Sequence, residues 1–176
     1  YFKVGYLANI HHWIYGAPFI AEKLFHPAQK RKEPNYSFRR GYISGLYSPS
    51  EAAEFWYRFF PRYPHYITGD KLKATSADEL HTAMRALYAA NPNVWLFKNL
   101  HCGMRIRALK QVFPQALFII VDRDELDTAR SILAMRKKVW GDYHTWWSVE
   151  PPNAAELKEL APEKQAVEQI RSIKKT

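Results

Sequence analysis

The strongest constraint on the fold lies between residues 94 and 139, where two short, wholly apolar runs each lead into a helical repeat. Val94 to Phe97 and Ala116 to Val121 show no polar alternation and are bounded by turn residues, as strands buried on both faces are. Met104, Ile106, Leu109, Val112 and Phe113 follow the first run at helical spacing and stop at Pro114. Leu126, Ile132, Leu133 and Met135 follow the second, in a helix that runs from Asp124 to about Val139. Strand, helix, strand, helix with short connections is the pattern of parallel strands joined by right-handed crossovers, so an α/β layer fold is expected.

The remainder of the chain reads as mostly helical around that unit. Trp13, Ile14, Tyr15, Phe19, Ile20 and Leu24 approximate a helical stripe broken around Gly16-Ala17-Pro18, which predicts two short helices within 1–24. Pro27, Pro34, Gly41 and Gly45 make 26–46 a long surface connection. Ser48-Pro49-Ser50-Glu51 predicts a helix start, with a hydroxyl cap and an acid three residues later, running to about Phe60 before Pro61 and Pro64. Ser76 and Glu79 form a second capping pattern ahead of Leu80, Met84, Leu87 and Tyr88, and that helix ends near Asn91-Pro92. Residues 143–153 read as an aromatic loop, and a last helix begins at Ala154 or Pro162.

Composition limits the function classes. At 176 residues, with 47% hydrophobic and 24% charged residues, the chain suits one globular domain spanning 1–176 with a real core. The run Ala116 to Val121 is far shorter than the roughly 18 residues a membrane helix requires, so no membrane span is expected. The single cysteine, Cys102, excludes an internal disulfide and a cysteine-rich zinc site, and it fits a reducing compartment. A formal net charge of +9 points to an anionic partner: nucleic acid, an acidic membrane, a polyanionic glycan or a phosphorylated cofactor. The basic residues are spread along the chain and the one dense run, Gln29-Lys30-Arg31-Lys32, is short, which argues against indiscriminate nucleic-acid binding.

In open α/β sheets ligands bind at the carboxyl ends of the strands, here Lys98-Asn99-Leu100-His101 and Asp122-Arg123-Asp124. Residues 98–138 hold nine Lys or Arg against four Asp or Glu, a balance suited to phosphate. Arg123 after the second strand and Ser131 on the following helix would make a two-point phosphate clamp. The structural alternative is that Asp124 caps the helix and Arg123 pairs with Asp122 or Asp127. Those acids also oppose an anion held by the helix dipole alone.

The stretch WLFKNLHCGMRIRALKQVFPQALFIIVDRDELDTARSILAMR with VWGDYHTWW, residues 95–147, resembles the sulfotransferase family, whose members transfer sulfuryl groups from PAPS (3′-phosphoadenosine 5′-phosphosulfate). FPQALFII is similar to the family's FPdAkfI, KNL to its KNP or KTP turn, YLANIHHWIYGAPF to its SNF-x-x-x-FW-x-AP segment, and WWSVEPP to a segment of its bacterial-type members. The family's second cofactor motif places an Arg after a strand and a Ser eight residues later on the 3′-phosphate, and Arg123 and Ser131 have that spacing. The family's glycine-rich loop for the 5′-phosphosulfate has no match; it lies upstream of the segment resembling Tyr1 to Phe19. Glu125 and Leu100 stand where relatives often have proline.

The resemblance implies a helix-rich, P-loop-NTPase-like parallel sheet flanked by helices, incomplete at both ends. It implies in-line transfer from PAPS, without a metal, to a hydroxyl of a carbohydrate, lipid or small molecule, in a bacterial cytoplasm. Lys98 would stabilise the departing nucleotide, and His101 is the first candidate for the base, although the cytosolic branch places its histidine one residue nearer its lysine. His11, His12, His65 and His144 are the alternatives for that role, and residues 36–47 and 143–147 are candidate acceptor walls. The competing readings are a catalytically silent nucleotide-binding relative or basic interaction module, a P-loop kinase relative, and a nucleic-acid binder.

Overall fold

The computed structural model describes residues 3–29, 38–39 and 42–176. The chain forms two compact units, one of Tyr1–Arg62 with Asp70–Leu100, the other of Tyr63–Gly69 with His101–Thr176. Both are built mainly from helices, and among the described residues no helix is long and apolar enough to cross a membrane.

The first unit runs β1 (Val4–Tyr6), α1 (Asn9–Trp13), α2 (Pro18–Gln29), β2 (Phe38–Arg39), β3 (Tyr42–Ile43), α3 (Ala53–Tyr57), α4 (Ala74–Ala90) and β4 (Val94–Leu96). β1 and β4 pair in parallel, Val4 with Val94, Gly5 with Trp95 and Tyr6 with Leu96. The register requires a glycine at position 5, because an added Cβ would lie 2.6 Å from the Trp95 indole. The Trp95 Nε1–H donates to the Asn91 carbonyl at 3.1 Å, and the indole stacks on Phe97. α2 packs on α4, and α1 packs on α2 and α3. Ala8, Ile10 and Phe25 form one cluster of this core, with Tyr6, Ile14 and Tyr47 against it; Phe55, Trp56, Phe59, Phe60, Leu80 and Leu87 are also buried. Each buried Ile, Leu or Phe side chain among them contributes about 2 kcal/mol by leaving water.

The second unit carries α5 (Ile106–Val112), α6 (Glu125–Trp140), α7 (Ala154–Leu157) and α8 (Pro162–Lys174), with a 3-10 turn at His101–Arg105. α6 packs along α8 through Ala129, Ala166 and Ile170, flanked by Ile132, Leu133 and Val167. Asp124 caps α6 by accepting from the Asp127 N–H at 3.0 Å, and Gly141 ends it in the left-handed conformation.

Several sequence expectations change. The break at 16–18 is real, since α2 starts at Pro18, but β1 was not expected ahead of it. Most of the 26–46 connection lies outside the described residues; α2 extends to Gln29, and β2 and β3 form a two-residue antiparallel ladder. Ser48 caps no helix, because its Oγ donates to the Ser44 carbonyl in the turn that contains Gly45 at φ +108°. Ser76 does not cap α4, whose N-cap position is Lys73, and Tyr88 faces solvent while Leu80, Ala83, Leu87 and Ala90 form the buried face. β4 is present but Val94 and Leu96 are exposed.

The largest correction concerns Ala116 to Val121, which forms no strand. Leu117, Ile119, Ile120 and Val121 are 78–93% exposed, and among the described residues no backbone hydrogen bond engages residues 117–121. A continuous apolar run requires neighbours on both faces and both edges, and neither unit supplies them, so composition alone does not make a strand here.

Two outcomes follow from this packing. Gly5→Ala forces the Trp95 ring off the parallel pair and lowers stability by about 1–3 kcal/mol, read from urea unfolding; an unchanged midpoint would show that the ring is not seated on β1. Ile119→Lys removes an apolar pairing edge and lowers light scattering at high protein concentration without lowering the melting temperature.

Candidate functional site

The carboxyl ends of β1 and β4 meet a third segment. The Ser50 N–H donates to the Leu7 carbonyl at 2.9 Å, the Asn9 N–H donates to the Ser48 carbonyl at 3.0 Å, and Ala8 bridges to Pro49. These bonds lay residues 48–50 alongside 7–9 and bring Glu51 to the Lys98-Asn99-Leu100 turn. The Lys98 ammonium forms an ion pair with Glu51 Oε1, the Leu100 N–H donates to Oε2 at 3.2 Å, and Asn99 Nδ2 donates to the Glu51 carbonyl at 3.0 Å. Lys98 is 73% exposed and Glu51 33%, so the pair faces water. Ala52, next in the chain, is a non-glycine residue in the left-handed region at φ 44°, a conformation that costs on the order of 1 kcal/mol.

Lys98 belongs to the first unit, whereas His101, Arg123 and Ser131 belong to the second. Arg123 and Ser131 are both exposed, one just before α6 and one on its second turn. The acids that might have neutralised Arg123 are committed elsewhere: Asp122 pairs with Lys174 at 2.8 Å, and Asp127 with Arg130 at 3.5 Å. Lys174 also holds the Asp122 carboxyl below the usual range, chiefly by hydrogen bonding. Glu125 pairs with Arg171 at 3.0 Å, which holds that guanidinium's pKa above its ordinary value. Among the described residues no ion pair engages the Arg123 guanidinium.

The histidines separate by environment. His11 is fully buried; its Nδ1 accepts the Ala8 N–H at 3.0 Å, and its Nε2 lies 3.2 Å from Glu22 Oε2 without a hydrogen bond. His12 packs edge-on against Trp13, and His144 is exposed in a turn whose N–H groups are capped by Asp142. His65 and His101 stack at 4.2 Å between ring centres. His65 is buried, its Nδ1 accepts the Glu150 N–H at 2.8 Å, and its pKa is lowered to about 4, first by burial and then by His101. No local signal in the sequence brings these two residues together.

The aromatic loop at 143–147 is tied to the core. Arg136 is fully buried, and burial pushes its pKa down. Its guanidinium donates to the Tyr143 carbonyl at 3.0 Å, to Gln165 Oε1 and to Gln169 Oε1 at 3.2 Å, and it lies over Trp146. Gln169 in turn donates to the Trp147 and Val149 carbonyls. Of the other candidate wall, Tyr47 stacks on Phe25 in the core, and residues 36–37 and 40–41 lie outside the described residues. Among the described residues no group of three His, Cys, Asp or Glu side chains is placed to hold a metal ion.

Glu51 is the site residue that sequence reasoning missed. Its position three residues after Ser48 reads as a helix-capping acid, and only the pairing of 48–50 with 7–9 shows where its carboxylate goes. Comparison with known proteins gives no match to a family model, a curated protein or a solved structure.

The His65 environment generates a pH prediction. A histidine with its folded pKa depressed from 6.5 to about 4 takes up its proton mainly on unfolding, so its stabilising contribution is present above pH 6.5 and is lost as pH falls toward 4. The melting temperature accordingly falls between pH 6.5 and 4. His65→Asn, whose Oδ1 can accept the Glu150 N–H, flattens that part of the profile; an equally steep profile in the variant would assign the loss to other groups.

Proposed function

We propose that this chain is a sulfotransferase domain, of the P-loop-NTPase-like α/β class, that transfers the sulfuryl group of PAPS to a hydroxyl of a carbohydrate, lipid or small molecule. The observation that carries the reading is the uncommitted Arg123 guanidinium, exposed at the start of α6 while the acids around it are held by Lys174, Arg130 and Arg171. Ser131, eight residues on, is also exposed. An arginine and a hydroxyl free of protein partners suit a terminal phosphate, which takes a charge-assisted bond from one and a hydrogen bond from the other. Such a pair distinguishes a 3′-phosphorylated adenine nucleotide from AMP or ATP.

Lys98, at the carboxyl end of a parallel strand and exposed, suits a site where negative charge develops on the departing phosphate. The transfer itself relies on alignment of the acceptor oxygen with the sulfur and on charge stabilisation, with no covalent intermediate. A second reading is binding without transfer, since an exposed arginine and hydroxyl at 123 and 131 suit nucleotide binding and do not by themselves perform a transfer.

Thermal unfolding with PAP (adenosine 3′,5′-bisphosphate), AMP and ATP tests the nucleotide site. PAP at a hundred times its dissociation constant adds about 2.7 kcal/mol, a rise of roughly 5–10 °C at this size. AMP and ATP give smaller shifts, and Arg123→Ala abolishes the PAP effect. Equal shifts with all three nucleotides, or none, would remove the basis of the reading, and PAPS consumption separates transfer from silent binding.

A further inference from the structure

We infer that Glu51 is the catalytic base of the proposed transfer and that its ion pair with Lys98 is the resting state of the site; the inference rests on the sulfotransferase reading. The case is geometric. Glu51 is held at the carboxyl ends of a parallel strand pair by backbone bonds on both sides of it, through Ser48 and Ser50 before it and through its own carbonyl to Asn99. Its carboxylate is oriented by the Leu100 N–H at 3.2 Å and contacts the Lys98 ammonium. One carboxylate oxygen is therefore anchored by the backbone, while the other is occupied by a side chain that can leave. A strained left-handed Ala52 follows directly, so the fold maintains this placement at a conformational cost. The histidine candidates fit the role less well. His11 is fully buried beneath the surface, and the rings of His65 and His101 are stacked on each other.

In the reaction Lys98 leaves Glu51 for the bridging oxygen between sulfur and phosphorus, which frees the carboxylate for the acceptor. Glu51 takes the hydroxyl proton as the acceptor oxygen forms its bond to sulfur. The bond from sulfur to the bridging oxygen breaks, and its electron pair departs with adenosine 3′,5′-bisphosphate, where Lys98 meets the new charge. The products are the sulfate ester and PAP, and Glu51 then passes its proton to water. With water in place of the alcohol, the same step yields inorganic sulfate and PAP.

This arrangement makes binding and turnover respond in opposite directions. Glu51→Gln keeps the size of the side chain and an acceptor for the Leu100 N–H but releases Lys98, so PAP binds on the order of threefold tighter, as expected from loss of an exposed ion pair. Hydrolysis of PAPS to PAP and sulfate falls about a hundredfold or more, and the acidic limb of its pH profile disappears. Lys98→Ala weakens PAP binding, and adding Glu51→Gln to it changes the affinity no further.

The experiment measures PAP affinity and PAPS hydrolysis for the full chain and these variants, with melting temperatures confirming that each folds. Slower hydrolysis together with equal or tighter PAP binding supports Glu51 as the base. Hydrolysis as fast as in the unaltered protein, or PAP affinity lost in parallel with turnover, overturns the assignment and leaves the sulfotransferase reading standing. PAP binding without PAPS hydrolysis by the unaltered protein also overturns it, in favour of a silent binder. Failure of the unaltered protein to bind PAP defeats the functional reading itself.

Discussion

The arrangement of the first unit depends on one buried carboxylate. Glu22 on α2 is inaccessible to solvent, and a polar group in that position is costly unless partners surround it. It receives the Asn91 amide at 2.8 Å on one oxygen, faces His11 at 3.2 Å on the other, and lies 3.6 Å from His26 one turn along its own helix. Those partners come from the C-cap of α4 and from α1, so three helices are fixed relative to one another by a single side chain. The same Asn91 carbonyl accepts from Trp95, whose ring lies across Gly5. The placement of β4, and hence of the Lys98 turn, therefore traces back to the core of α2. Removing the Asn91 amide leaves a buried acceptor unmatched, at a cost of about 1–3 kcal/mol.

The second unit solves a related problem with the opposite charge. Among the described residues Arg136 is buried without a carboxylate ion pair; its Nη1 and Nη2 donate to two glutamine side chains of α8 and to the Tyr143 carbonyl, while Nε has no hydrogen-bond partner. Guanidinium suits this role because its planar fork reaches several acceptors at once, which an ammonium cannot do. Gln169 then passes the constraint to the loop through the Trp147 and Val149 carbonyls. The backbone of residues 143–147 is thereby tied to α6 and α8.

What was legible in the sequence is what depends on local chemistry. The Asp124 cap, the Pro114 stop and the helical spacing of α5 and α6 all act within a turn or two of the residues that cause them. The illegible parts depend on partners distant in sequence. β1 is three residues long and becomes a strand only because β4 lies beside it, 90 positions later in the register. Ala116 to Val121 has the composition of a buried strand, yet extended backbone needs a hydrogen-bonding neighbour before it counts as one. Glu51 looked like a cap because Ser48 precedes it by three residues, and the competing bonds of 48–50 to 7–9 decided otherwise. Arg123 and Ser131 stand out in the sequence by their spacing after the second apolar run, but the pairing of Asp122 with Lys174 is not legible there.

That last pairing bears on how an anion would be held at α6. The positive end of the helix dipole is already met by Asp124, whose side chain caps the first turn, with Glu125 and Asp127 close behind. An incoming phosphate therefore gains little from the helix itself and is repelled by acids that remain unneutralised. Lys174 and Arg171 from α8 remove much of that repulsion, and in doing so leave Arg123 without a competing partner. Such an anion site depends on α8 although no α8 side chain need touch the ligand. Because the ion pairs involved are exposed, salt screens them, and the repulsion they relieve is screened as well. Affinity for a phosphate at Arg123 should thus follow the direct guanidinium contact more closely than the surrounding charge, which separates a discrete site from the diffuse attraction of a chain carrying nine excess positive charges.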